Sequence, residues 1–111
     1  MSLLLSCAKK EPADILVKKN GTWDFSAEHF YLGTHTGTTA GEITFESNGT
    51  GTITSDTGNA AISWAATHLT VTIEYYPKQY IHYSIKVASA KKIVLEDNYP
   101  PFKSLLTLSR K

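Results

Sequence analysis

One cysteine among 111 residues leaves this chain without an internal disulfide, so its stability has to come from packing. Long apolar runs are missing too. Leu3-Leu4-Leu5, the longest near the start, is far short of the about 20 residues a membrane-spanning helix needs. An excess of either charge is also missing. Eleven basic residues against ten acidic ones leave a net charge of +1, and no basic face of the kind that holds a phosphate backbone. There is no Gly-rich phosphate loop and no Gly-x-Ser-x-Gly elbow. Helical periodicity is confined to Pro12–Lys19, where Ile15 and Leu16 form a small apolar face that stops at Asn20-Gly21.

What the chain does have is alternation with a period of two, the mark of half-buried strands. Trp23, Phe25 and Ala27 alternate with Thr22, Asp24, Ser26 and Glu28. Ile43 and Phe45 resume the pattern after a Gly- and Thr-rich stretch, His29 to Gly41, that reads as a long loop or an irregular strand. Asn48-Gly49 reads as a type I′ hairpin turn. Ile53, then Ile62 and Trp64, then Leu69, Val71, Ile73 and Tyr75, then Ile81, Tyr83, Ile85 and Val87 are expected to point inward. Two further strands, at Lys92–Glu96 and Ser104–Arg110, flank an Asn98-Tyr99-Pro100-Pro101 loop. The expected fold is therefore all-β: about eight antiparallel strands in a meander that closes into a small up-and-down barrel behind a short N-terminal helix or tail. A chain of this length is expected to form one domain around one core.

The start of the chain carries a separate signal. Leu4-Leu5-Ser6-Cys7 resembles a bacterial lipobox, in which the cysteine becomes the first mature residue and carries the lipid. The lysines and proline of Ala8-Lys9-Lys10-Glu11-Pro12 read as a polar tether. A complete signal would have a basic leading segment and a longer apolar stretch. The chain is therefore read as starting just ahead of the cleavage site, with Met1-Ser2-Leu3 of vector origin. The alternative is an incidental cysteine in a polar tail. Residues 1–14 are expected to form the tether or tail, and residues 15–111 the barrel domain.

Gly21-Thr22-Trp23 at the first strand, Ile62-Ser63-Trp64 in the fourth and the closing Leu106-Thr107-Leu108 ahead of Arg110 resemble the lipocalin-like domains of small bacterial envelope lipoproteins. The resemblance covers about Ile15 to Arg110. It implies a calycin-type barrel anchored by lipid at the periplasmic face or cell surface. It also implies that Gly21, Trp23 and Arg110 form a structural signature, with the cation of Arg110 packed across the Trp23 ring to tie the first strand to the last. The chain is shorter than true lipocalins and lacks their disulfide and long C-terminal helix. Avidin-type barrels also open with Gly-Thr-Trp, but their ligand site needs more tryptophans than the two present here.

Two functions are expected from different classes. In the first, a small apolar or amphipathic molecule binds in the barrel mouth against Phe45, Trp64, Tyr75 and Tyr83, behind a gate at His29–Gly41; this requires a cavity of at least ~300 Å³. In the second, large aromatics fill the barrel and its surface makes contacts, around Tyr76, Tyr80 and His82. No enzyme activity, cofactor, metal or nucleic-acid partner is expected, and no protein partner is identified. His29, His35, His68 and His82 lack ligand spacing and read as solvated. Asn20-Gly21-Thr22 and Asn48-Gly49-Thr50 match the glycosylation pattern but read as turns.

Overall fold

The structure, a computed structural model, describes residues 11–56, 58–76 and 79–110, apart from the Tyr76 side chain. A short helix α1 (Pro12–Val17) and a 3-10 turn (Lys19–Gly21) lead into eight strands: β1 (Thr22–Tyr31), β2 (Thr34–Phe45), β3 (Thr50–Ser55), β4 (Gly58–Ala66), β5 (Thr70–Tyr76), β6 (Gln79–Ala88), β7 (Lys92–Tyr99) and β8 (Phe102–Arg110). Each strand pairs antiparallel with the next, and β8 pairs back onto β1, closing the barrel in sequence order. Closure leaves neither β1 nor β8 with a free edge.

The alternation seen in the sequence sets which side chains face in. Trp23 lies opposite Ile43 on one side and Arg110 on the other, and Phe25 lies opposite Leu108. Trp23, Ile43, Phe45, Val71, Ile73, Leu95, Ile93 and Leu108 are buried. One end of the barrel is stoppered by α1. Six residues are too few for a helix to hold itself together in water. Leu16, completely buried, fixes it from below, and full burial of such a side chain contributes roughly 1.5–3 kcal/mol. At the other end four hairpins, β1–β2, β3–β4, β5–β6 and β7–β8, surround the mouth.

Several local readings are corrected by the structure. His29–Gly41 is not a loop: β1 runs on to Tyr31, and β2 starts at Thr34 after a two-residue turn. Leu32 (φ 51°) and Gly33 (φ 82°) both have positive φ, as the twist of a tight hairpin demands. Asn48-Gly49 belongs to a wider turn. Gly49 alone of the two takes positive φ, and the Asn48 carboxamide oxygen accepts the Thr50 amide at 3.1 Å. Leu69 sits in the β4–β5 turn and is 73% exposed. Val87 also faces out. A bulge between Ile85 and Val87 inserts one residue into β6, so Ile85 faces Leu95 while Val87 is shifted to the outer side opposite Val94. β7 and β8 also reach farther than expected, to Tyr99 and from Phe102.

Candidate functional site

Gly21, Trp23 and Arg110 come together at the closed end. The Arg110 guanidinium carbon lies 3.7 Å from the centroid of the Trp23 ring. Its Nη1 and Nη2 donate to the carbonyls of Lys18 and Ile15, each at 2.8 Å, and its Nε donates to the Ala90 carbonyl at 3.2 Å. The Trp23 Nε1 donates to the Leu16 carbonyl at 3.0 Å. The carbonyls at the end of α1 thus also accept from a cation and an indole, where the helix dipole favours positive charge. Gly21 (φ +67°) packs its α-carbon against the Phe45 carbonyl, and a side chain here would collide with that backbone oxygen. This cluster is a mechanical joint between the helix, the first strand and the last.

The candidate site lies at the other end. A cavity of about 430 Å³ opens at the mouth, within the range of small-molecule sites. Its origin is the size of the inward residues on β1–β4. Ala27, Thr39, Ser55, Gly58 and Ala60 are all small and leave the space that the larger Phe25, Ile53, Ile81, Tyr75 and Tyr83 surround. The aromatics that crowd the sequence are divided between the two ends. Phe45 and Trp64 do not line the cavity. Their rings meet edge to face at 5.4 Å in the closed half, and the Trp64 Nε1 reaches the Glu46 and Thr50 carbonyls at 3.0 Å each, bracing the β2–β3 turn. Of the four candidate ligand contacts, Tyr75 and Tyr83 therefore wall the cavity while Phe45 and Trp64 stand apart from it in the closed half.

The polar groups of the mouth form a band across the interior. Tyr75 and Tyr83 share a hydrogen bond between their hydroxyls at 2.8 Å. One phenolic proton is used in that bond and the other remains to be donated elsewhere. Burial pushes both phenols above their ordinary range, and the nearby Asp97 charge acts in the same direction, so both stay neutral. On the far wall, His29 Nδ1 lies 3.0 Å from Ser104 Oγ. His29 lines the cavity rather than facing solvent, which corrects its reading as a solvated loop residue. Ser104 is registered opposite Asp97 on β7. Asp97 shares the inward parity of Ile93 and Leu95, and burial raises its pKa above the ordinary aspartate value, with His82 partly opposing.

The order along this row is His29, Ser104, Asp97, with the serine in the middle. A nucleophilic relay needs the imidazole between acid and hydroxyl, so the row offers hydrogen bonds rather than an activated serine. Among the described residues no three His, Cys, Asp or Glu side chains gather as a metal site. His35, His68 and His82 sit on the outside, beside Thr38, Glu11 and Thr72 respectively. Cys7 lies outside the described residues.

Compared with known protein families, curated proteins and solved structures, the chain matches none of them. Sequence reasoning missed His29, Ser104 and Asp97 as a set. Parity could have placed Asp97 inside, since it continues the Ile93-Leu95 face. The pairing of His29 with a serine 75 positions away is visible only once β8 returns to β1.

Proposed function

We propose that this protein is a non-enzymatic binding protein that holds one small apolar or amphipathic molecule in the barrel mouth, tethered to a bacterial envelope membrane by a lipid on Cys7. The cavity carries the reading. It has apolar walls, a few convergent polar groups and one open side, and an eight-strand barrel is just wide enough to hold a small ligand. The closed end is firmly packed, so the mouth provides the way in.

Native mass spectrometry of the protein, purified mildly from its own envelope fraction, tests this directly. The expected result is an adduct of a few hundred daltons that leaves on denaturation, with a diacylglyceryl-type increment on Cys7. Ala27→Phe, which fills the cavity, should abolish the adduct while leaving the barrel folded. A bare protein, with the adduct also missing when extracted lipids are added back, would overturn the reading.

A second reading is favoured by the rim. Tyr31, Leu32, Tyr99 and Phe102 are all large and exposed. The Tyr31 and Phe102 rings lie 5.2 Å apart, and the Leu32 amide donates to the Pro101 carbonyl at 2.9 Å, joining two hairpin tips into one apolar lip. Leu32 keeps a left-handed backbone there, which costs a leucine about 1–2 kcal/mol. In this reading the lip contacts another protein and the barrel is its support. Loss of a pulled-down partner on Leu32→Asn with Phe102→Ser, and no effect of Ala27→Phe, would favour it.

A further inference from the structure

We infer that the mouth selects its ligand by the charge of the polar end, accepting neutral and above all amine-bearing amphiphiles and rejecting carboxylates such as free fatty acids. The inference rests on the ligand-binding reading above and specifies its chemical class.

Among the described residues no lysine or arginine lines the cavity. Arg110 is committed to the carbonyls at the closed end, and Lys86 and Lys103 point outward to Glu96 at 3.2 and 3.3 Å. A carboxylate entering the mouth would therefore leave water without meeting a fixed cation among the described lining residues, a costly transfer. Asp97 is not itself one of the residues lining the cavity, but it continues the inward row that reaches His29 through Ser104, and from the cavity's margin it sets the opposite preference. It stands between Ser104 in register and the Tyr75–Tyr83 pair, whose ionisation its charge opposes. Burial disfavours its charge, and an ammonium group beside it would restore the balance. The rings of Phe25, Tyr75 and Tyr83 wall the same space, and aromatic faces attract cations and not anions. The His29–Ser104 pair and the spare phenolic proton complete a site for a hydrogen-bonding head above an apolar chain.

The test uses three probes with the same tail: decylamine, decanol and decanoate, titrated calorimetrically into the full chain at neutral pH. Decylamine should bind at least about tenfold more tightly than decanoate, the scale of one charge-assisted hydrogen bond. Asp97→Asn should remove most of that preference and bring the amine close to the alcohol. Glu96→Gln, which deletes the neighbouring outward charge, should leave the ratio unchanged. Near-UV circular dichroism verifies that each variant is folded, and the wild-type ratio stands without any variant. Equal binding of all three probes, or a preference for decanoate, would overturn charge selection while leaving the cavity a binding site. Binding by none would overturn both. An amine preference that survives Asp97→Asn would remove Asp97 from the account.

Discussion

Arg110→Ala should cost this barrel about 2–3 kcal/mol. The side chain makes two 2.8 Å hydrogen bonds to carbonyls at the end of α1, a third at 3.2 Å to Ala90, and stacks 3.7 Å from the Trp23 ring centroid. A hydrogen bond from a charged group contributes about 1.5–3 kcal/mol when buried, and a cation over an aromatic face about 0.5–2 kcal/mol. Arg110 is partly exposed, so water replaces some of what is lost and the sum is discounted. For a domain of this size that loss lowers Tm by roughly 10–15 °C. Arg110→Lys keeps the charge but loses the planar fork, and should recover less than half of the deficit. Chemical denaturation followed by tryptophan fluorescence measures both, and a double-mutant cycle with Trp23→Phe isolates the stacking. If Arg110→Ala costs under about 0.5 kcal/mol, or lysine serves as well as arginine, the joint does not hold the helix to the barrel.

Gly21→Ala combines a positive φ with a collision against the Phe45 carbonyl and should destabilise by about 2 kcal/mol or more; a neutral effect in urea unfolding would contradict the close approach. Leu32→Asn places a residue tolerant of left-handed backbone at the β1–β2 turn and should stabilise by about 0.5–1 kcal/mol, read as an upward shift of the denaturation midpoint. Glu96, held below the ordinary carboxylate range first by Lys86 and also by Lys103, adds stability at neutral pH that is lost as the pH falls through its lowered folded value. Glu96→Gln should flatten the acid side of the stability profile and cost about 1 kcal/mol or less at pH 7; an unchanged profile in acid would show the pair to be inert.

The barrel was legible because alternation survives in nearly every strand, and eight short strands joined by short turns have few other ways to bury their faces. The errors fell where one residue changed the count. The bulge before Val87 inverted its side, and Leu69, in step with Val71, sits just outside its strand. Leu32 hid a hairpin because a leucine in a left-handed turn contradicts local preference. The cavity was obscured for a different reason. Counting large interior residues over the whole barrel suggests a solid core, whereas Trp23, Phe45 and Trp64 are gathered at one end and Ala27, Gly58 and Ala60 at the other. Volume depends on how residue sizes are distributed along the axis, and period-two reasoning carries no information about that.

The stopper helix also sets a direction. The described chain begins at Glu11, at the sealed end, four residues after the cysteine proposed as the anchor. At about 3.5 Å per residue, Cys7 and Glu11 are separated by no more than ~15 Å. A barrel moored that closely would stand on its base, with the mouth turned toward the aqueous compartment and away from the bilayer holding it. Its cargo would then come from across that compartment or from a donor docked at the aromatic rim, and not by lateral diffusion out of the supporting leaflet. A protein so anchored and so loaded would receive and hold, like a cup fixed upright on a surface.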